Sequence, residues 1–461
     1  MTSLFRREPG FYRRLWVLTL PIVLQNLITT SLGFADTFMV GLLGNAEMAA
    51  VTAANVPVFI LQLVIFGFQS GLAVLVSQYW GRGDTDSINR CMGVALYAVI
   101  LFSLTVALIT FFLPAEVLRL VTPNEDLVAL GTSYIRIVGF ANVFNGISSV
   151  YAGMQRSTEN PRFGMILFAI SMCVNTFLNF VLIFGKFGAP RMGVTGAAAA
   201  TLISRVVEFA VALIYALRSR RVPLRPGLIL RPGRDTLRRF GKYSVPVVCN
   251  ETLWGTGTSM LTVVMGHMAQ SQDMLAAYSL MGNIDKLSTV ICFGLAASAA
   301  VMVGKEIGEG RDFGHVYGVA KTLLAVSVLV GLGVMALQLL LLPTFFRPVL
   351  FPLFQLSPGA ARISTYLAVV YAVALPTRAF DVTNVTGVLR AGGDARVAVL
   401  IDVLPLWLFT VPLMAVCALV LKLPVLWVCL CLQSETLCKF PLGILRFRSR
   451  KWIHDITRSI A

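Results

Sequence analysis

The sequence FGFQSGLAVLVSQYWGRGD at residues 66–84 recurs in altered form as FGLAASAAVMVGKEIGEGRD at residues 293–312. Each copy is an apolar run that ends in a charged, Gly-rich turn. A second pair of similar segments is YAGMQRSTENPR at 151–162 and VTGVLRAGGDAR at 385–396. Self-similarity at this spacing predicts that the chain consists of two halves built to one design.

A third pair of segments places the start of each half. LTLPIVLQN at 18–26 resembles YSVPVVCNE at 243–251, which pairs Pro21 with Pro246. Each half then contains six apolar stretches of roughly 20 residues or more, the length that crosses about 30 Å of hydrocarbon. Because six is an even number, both halves enter the membrane in the same orientation. This is the parallel-repeat arrangement of some secondary transporters, with a symmetry axis along the membrane normal.

The composition agrees with a polytopic membrane protein. The 461 residues are 57% hydrophobic and 13% charged, and the mean hydropathy is +0.80. Backbone groups in lipid must be satisfied within each segment, so the spans are α-helices. We therefore predict an all-α fold of twelve transmembrane helices in two pseudo-two-fold-related six-helix bundles. The predicted domains are an N-lobe at 1–217, a basic cytoplasmic linker at 218–239, and a C-lobe at 240–461 with a basic cytoplasmic tail.

The net charge of +16 is distributed unevenly among the loops. Assigning the loops alternately to the two sides collects most basic residues on the side that carries both termini. The positive-inside rule makes that side cytoplasmic. The charge then reports orientation and contact with anionic lipid headgroups, and no nucleic acid is expected as a partner. The linker is either a loop that obeys the charge rule or a tether that contacts lipid.

The sequence argues against an enzyme. The eight cysteines form no CxxC pair, and they are interpreted as small apolar residues. The three histidines, His267, His315 and His454, are isolated, and no HExxH or Ser/Lys arrangement occurs. No catalytic residue is predicted.

Polar residues in the predicted spans of the first half suggest a cation site. Gln25, Thr29 and Asp36 fall on one stripe of the first helix, and Asn175 and Asn179 are four residues apart on one face of the fifth. Thr201 lies two turns into the sixth helix, among small alanines that allow close packing. If the helices meet, they supply a carboxylate with amide and hydroxyl oxygens. The cluster either binds H⁺ or Na⁺, or only holds the helices together.

The second half has carboxylates of its own in apolar helices, at Glu251 and Asp381. Ionisable groups in membrane spans usually face a cavity or a partner. Arg378 lies three residues before Asp381 on nearly the same face, so a structural pair between them is an alternative. Two further candidate ion pairs are Arg205 with Glu208 and Asp285 with Lys286.

Large side chains in the second half are candidates for a substrate pocket. Trp254, Tyr278 and Met260, together with Gln25 of the first half, would line a path for flat cationic molecules, partly through cation–π contacts. Core packing in a helical bundle is the alternative for the aromatic and methionine residues.

Several motifs resemble those of the multidrug and toxic compound extrusion family, MATE. They are ADTFMVGLLG in the first span, P-x-x-x-x-E from Pro246 to Glu251, N-x-x-x-N followed by LIFG in the fifth span, GAAAAT in the sixth, and the VLRAGGD turn after the tenth. The resemblance covers nearly the whole chain. It is closer to the NorM-type branch, because position 179 is Asn and the acids Glu251 and Asp381 are present.

The resemblance implies an antiporter that exports organic, often cationic compounds in exchange for H⁺ or Na⁺, by alternating access between two lobes. No cofactor other than the coupling ion is expected. The protein would act as a monomer in the plasma (inner) membrane, with both termini cytoplasmic. The alternative function is a flippase of a lipid-linked precursor.

Residue by residue, the resemblance implies two cation sites. One is the N-lobe coupling site, and the other is the C-lobe acidic site. Na⁺ would bind at Asp36 or between Glu251 and Asp381. The N-lobe residues are Asp36, Asn175, Asn179 and Thr201, and the C-lobe residues are Glu251 and Asp381.

Overall fold

A computed structural model describes residues 5–457, and helices account for nearly all of them, with no β-strand in that range. The helices are, in chain order, α1 Phe11–Gly41, α2 Asn45–Gly81, α3 Thr85–Phe112, α4 Pro114–Arg119, α5 Glu125–Ser157, α6 Pro161–Phe184, α7 Gly193–Arg218, α8 Pro226–Leu230, α9 Arg234–Gly266, α10 Ser271–Gly308, α11 Phe313–Leu353, α12 Pro358–Leu389, α13 Ala395–Val420 and α14 Val425–Arg448.

The predicted all-α membrane fold is confirmed. Within residues 5–457, 11 helices are long and apolar enough to cross a membrane. The 33-residue helix α9 is the remaining predicted span, and at 1.5 Å per residue it is about 50 Å long. It is less apolar because its first turns are strongly charged and Asn250 and Glu251 lie in its middle.

Packing divides the chain into two compact units. One unit is Leu20–Val248, and the other combines residues 5–19 with residues 249–457. These bounds differ from those of the predicted lobes, because the first turns of α1 pack with the second half. Thr19 Oγ1 donates a hydrogen bond to Ser298 Oγ at 2.9 Å. Likewise, the first turns of α9 pack with the first half of the chain: Ser244 of α9 lies directly against Gly71 of α2.

The turns that end α2 and α10 have the same backbone structure. Gly83 and Gly310 have φ values of 71° and 72°, a left-handed conformation that glycine adopts without strain. In each turn the next backbone N–H donates to the carbonyl five residues earlier, at 3.0 and 3.2 Å. The side chains of Asp84 and Asp312 then cap the following helices, α3 and α11. The sequence repeat is therefore also a repeat of local structure.

Corresponding helices lie at the centre of the two units. Helix α5 packs against α2, α3 and α7, and α12 packs against α10, α11 and α14. The contacts of both central helices depend on a glycine. A methyl group at Gly153 would lie 2.5 Å from Gln69 Cγ, and one at Gly387 would lie 2.7 Å from the Ala296 carbonyl oxygen. Small residues at these positions allow the backbones to approach closely.

Candidate functional site

The four predicted N-lobe residues form one hydrogen-bonded chain across α1, α6 and α7. Asn179 Nδ2 donates to Asp36 Oδ1 at 2.5 Å and to Asn175 Oδ1 at 3.0 Å. Asn175 Nδ2 in turn donates to Thr201 Oγ1 at 3.4 Å. Both asparagines are 1% exposed. The structure thus brings together Asp36, Asn175, Asn179 and Thr201 in the way that the helical spacing predicts.

Ser204 is a further member of this cluster that the sequence analysis did not single out. Asn175 Nδ2 donates to Ser204 Oγ at 3.5 Å, and Ser204 is 1% exposed. Its position three residues after Thr201 on α7 is the signal that predicts a shared face.

The cluster has oxygen atoms available to a cation. Asn179 Oδ1 is buried and accepts no hydrogen bond from any residue in the described part of the chain. With the Asp36 carboxylate and the Thr201 hydroxyl, it forms an all-oxygen donor set. Such a set suits a proton or a hard cation and suits soft metals poorly.

The remaining polar candidates of this unit are an ion pair and a buried glutamine. Arg205 Nη1 and Glu208 Oε2 form the predicted i,i+3 pair on α7 at 2.6 Å, and Glu208 is fully buried. Gln25 is 8% exposed, and its Oε1 lies against Gly164 of α6.

The predicted acids of the second half have different environments. Glu251 Oε1 accepts a hydrogen bond from Arg390 Nη1 at 3.0 Å, and Arg390 is 1% exposed. Asp381 is 6% exposed, and neither of its carboxylate oxygens has a hydrogen-bond partner within the described residues. No hydrogen bond therefore joins Glu251 to Asp381.

Glu251 belongs to a buried ionic network that the sequence analysis missed. Asn250 Nδ2 donates to Asp402 Oδ2 at 2.7 Å, and Lys439 Nζ donates to Asp402 Oδ1 at 2.6 Å and also to Glu435. Arg390 Nη2 lies 3.8 Å from Asp402 Oδ2. The network joins α9, α13, α14 and the end of α12.

Sequence signals for this network were present. Asp402 lies inside an apolar run, where ionisable residues are rare. Glu435 and Lys439 have the i,i+4 spacing of a helical ion pair. Arg390 follows directly after α12 and looked like a loop residue, so its burial depends on tertiary packing.

Arg378 and Asp285, which the sequence suggests are paired with other residues, form an ion pair with each other. Its guanidinium binds the Asp285 carboxylate through Nη1 at 2.5 Å and Nη2 at 2.9 Å. The suggested pair with Asp381 and the suggested pair of Asp285 with Lys286 are therefore both wrong. The pair between α10 and α12 is bidentate. Its geometry is favourable because a planar guanidinium can donate two parallel hydrogen bonds to the two oxygens of a carboxylate.

The candidate substrate-lining residues of the second half differ in burial. Trp254 and Tyr278 are partly buried and pack against the apolar core around Met265, Met274 and Leu367. Met260 is 38% exposed. A role in substrate binding stays a prediction for all three and for Gln25.

The described residues form no metal centre built from histidine, cysteine or acidic side chains. No group of three or more His, Cys, Asp or Glu side chains within 5–457 has the arrangement to hold a metal ion. The eight cysteines are free thiols.

Comparison with known proteins identifies the family. The sequence model of the family described as MatE matches residues 21–181 and 246–416. The chain belongs to the MatE family. The two matches begin at Pro21 and Pro246, the same prolines that define the sequence repeat, so each half of this MatE chain is one copy of the family's unit.

Two relatives of this MatE protein have multidrug-resistance names. It is 25% identical over 447 residues to the "Probable multidrug resistance protein NorM" of Thermotoga maritima, covering 96% of this chain and 94% of the relative. It is 24% identical over 409 residues to the "Multidrug resistance protein MdtK" of Yersinia enterocolitica, covering 87% and 86%. The predicted membership in the NorM-like branch is confirmed.

Solved structures have the same fold. A transporter of the MOP superfamily from Pyrococcus furiosus superposes with a TM-score of 0.83 at 18% identity, over 97% of this chain and 98% of the other. The crystal structure of the eukaryotic MATE transporter AtDTX14 gives 0.84 at 17%, with the same coverage. MatE proteins are transporters, so this chain is a multi-pass membrane transporter and not an enzyme.

Proposed function

We propose that this MatE protein is a secondary antiporter that exports small organic, often cationic compounds in exchange for inward H⁺ or Na⁺. The names of its relatives support multidrug export. The observation that carries the ion coupling is the chain of hydrogen bonds from Asp36 through Asn179 and Asn175 to Thr201. A carboxyl group in a membrane span is retained where it has a function or a partner.

The coupling step at Asp36 follows from its hydrogen bonds. Asn179 donates to one carboxylate oxygen, so the other oxygen is available to a proton, or to Na⁺ with further oxygens of the cluster. Ion binding changes the charge of Asp36 and so the strength of its hydrogen bond to Asn179. Because Asp36 lies on α1 and Asn179 on α6, this change alters how the helices pack. A driving ion shifts the protein between conformations by as much as its affinities for them differ.

The second unit is a further candidate for cation binding. Its carboxylates Glu251, Asp402 and Glu435 are bound by the cations Arg390 and Lys439. Asp381, whose electrostatic surroundings include Lys439 and Asp402, adds a fourth carboxylate. Four carboxylates against two cations leave two negative charges, which protons or Na⁺ would balance. Because Glu251 is already paired, Asp381 is the acid in this unit that we assign to ion binding.

We also propose a membrane location and an oligomeric state for the protein. The distribution of basic residues supports a plasma-membrane protein with both termini in the cytoplasm. We expect it to act as a monomer, because both copies of the family's unit are present in one chain. The alternative, a flippase of a lipid-linked precursor, is not favoured, because the relatives described above carry multidrug-resistance names.

Efflux of a fluorescent cationic dye from vesicles that contain the purified protein tests the proposal. Efflux is measured once under an imposed proton gradient and once under an imposed sodium gradient. Asp36→Asn should abolish gradient-driven efflux and leave the protein folded by size-exclusion chromatography. Asp126→Asn, a change of an exposed acid at the start of α5, is the control and should transport normally. Full efflux in Asp36→Asn would overturn the proposed coupling site.

A further inference from the structure

The basic linker between the two halves packs on the outside of α3. The short helix α8 lies directly on Gly93, where a methyl group would meet the Ile229 backbone. Tyr97 Oη donates to the Leu230 carbonyl at 3.0 Å, and Arg225 N donates to Asn89 Oδ1 at 3.2 Å. The linker therefore has a defined position against the membrane-spanning helix.

Beneath the linker is a cavity of about 670 Å³, which lies within the range of roughly 300–1,000 Å³ typical of ligand pockets. Residues of α3 and α9 line it, together with Phe68 of α2, whose ring stacks on that of Phe240. Tyr97 and Leu101 are 47% and 71% exposed, so the cavity opens on the outer face of a membrane-spanning helix. The lining is mostly apolar and includes Val94, Ala98, Leu101, Leu237, Phe240 and Val245.

One charged side chain borders this apolar cavity. Arg234 is exposed, lines the cavity, and has no hydrogen-bond or ion-pair partner in the part of the chain that the structure describes. Arg231 and Arg238 lie close to it in sequence and are likewise exposed and unpaired within residues 5–457. Across 218–242 every charged residue except Asp235 is basic.

Three other arginines of the same segment have partners within the protein. Arg225 pairs with Asp86, Arg239 donates to Tyr79 Oη at 3.4 Å, and Arg221 lies 5.2 Å from the Trp80 ring centroid. Among the described residues, Arg234 is the one charged residue that lines the cavity; Arg231 and Arg238 flank it in sequence, whereas Arg218 and Arg220 lie outside the lining. Any ligand that satisfies both features needs an apolar body and an anionic group.

We propose that this cavity binds an anionic glycerophospholipid of the surrounding bilayer, with an acyl chain in the cavity and the phosphate at Arg234. An apolar chain fills the space between α3 and α9, which a free inorganic anion would leave empty. A zwitterionic lipid fills the same space but gains less from the positive charges, because its headgroup is neutral overall. The lipid would join the linker to α3 and α9 within one unit, so the inference is independent of the proposed transport function.

Native mass spectrometry of the full-length protein, exchanged into equal amounts of phosphatidylglycerol and phosphatidylcholine, tests the inference. The unmodified protein should retain phosphatidylglycerol in preference to phosphatidylcholine. Arg234→Gln should lower retained phosphatidylglycerol about fivefold, the factor for losing about one basic residue at an anionic surface. Arg220→Gln removes the same charge from the linker outside the cavity and should have little effect.

A second variant tests the acyl-chain space without changing any charge. Gly241 lines the cavity, and a Cβ atom there meets nothing within 4 Å. Gly241→Leu should therefore fill the cavity and reduce lipid retention several-fold, while the fold is kept. Gly333→Leu is the matched control, because Gly333 is also helical and a Cβ atom there likewise meets nothing within 4 Å. Equal losses in Arg234→Gln and Arg220→Gln, or full retention in Gly241→Leu, would overturn the proposal, as would equal retention of the two lipids by the unmodified protein.

Discussion

Arg378 on α12 binds Asp285 on α10 through two hydrogen bonds of 2.5 and 2.9 Å. Asp381, which lies three residues after Arg378 on the same helix, has no hydrogen-bond partner among residues 5–457. A π-helical segment, Thr383–Leu389, begins two residues later, and such segments are frequent at functional sites. The Asp285 carboxylate is therefore neutralised by Arg378, whereas the Asp381 carboxylate is buried without an arginine partner among these residues.

The first prediction concerns the Arg378–Asp285 pair. Arg378→Gln should lower the free energy of unfolding by about 1.5–3 kcal/mol, because it removes charged hydrogen bonds from a partly buried carboxylate. The double variant with Asp285→Asn should recover most of this loss. Thermal unfolding followed by fluorescence-detected size-exclusion chromatography measures both. If the double variant were as unstable as the single one, the pair would not be the source of the stability.

The second prediction contrasts the two acids of the C-lobe site. Asp381→Asn should keep or raise the unfolding temperature, because burial of an uncompensated charge in a membrane span costs at least about 2.5 kcal/mol. Glu251→Gln should lower it, because Arg390 then remains buried without the carboxylate that it binds. The same thermal assay applies. An equal loss in the two variants would show that Asp381 has a stabilising partner.

The third prediction concerns the hydrogen bond from Asn179 to Asp36. Hydrogen bonds to charged groups contribute about 1.5–3 kcal/mol, which corresponds to about tenfold or more in rate. Asn179→Ala should reduce dye efflux at a fixed gradient by that factor and change its dependence on coupling-ion concentration. Thr105→Ala is the control, because the exposed Thr105 hydroxyl donates to the Leu101 carbonyl of its own helix, α3, outside the cluster. An unchanged ion dependence in Asn179→Ala would contradict a role in coupling.

The fourth prediction concerns the close packing of α12 on α10. Gly387→Val places a Cβ atom 2.7 Å from the Ala296 carbonyl oxygen, and backbone atoms cannot move aside as a flexible side chain can. The free energy of unfolding should fall by about 1–3 kcal/mol, as in other overpacked cores. Gly333→Val has open space and should have a much smaller effect in the same thermal assay. Similar losses at both positions would point to helix propensity as the cause.

Much of the N-lobe site was predictable because its geometry is local to each helix. The four-residue spacing of Asn175 and Asn179 defines a helical face without reference to the rest of the chain. The position of Asp36 in an apolar run identifies it as an ionisable residue in a membrane span. What the spacing did not provide was the order of the hydrogen bonds, in which Asn179 stands between Asp36 and Asn175.

The C-lobe network was harder to predict because its partners are far apart in the chain. Glu251 binds Arg390, which lies 139 residues later, and Asp402 binds Lys439, which lies 37 residues later. Pairing rules within one helix therefore suggested the wrong partner for Arg378. The helices that face each other, and not the spacing along one of them, select the ion pairs.

The sequence by itself determined that the protein is a two-repeat helical membrane protein. Apolar runs long enough to cross a bilayer, repeated motifs and the paired prolines are properties of the chain that need no knowledge of packing. The tertiary structure alone decided which charges are neutralised, that the first turns of α1 join the second unit, and that the basic linker covers an apolar cavity. These features depend on which helices approach one another, and that approach is set by long-range packing at residues such as Gly153 and Gly387.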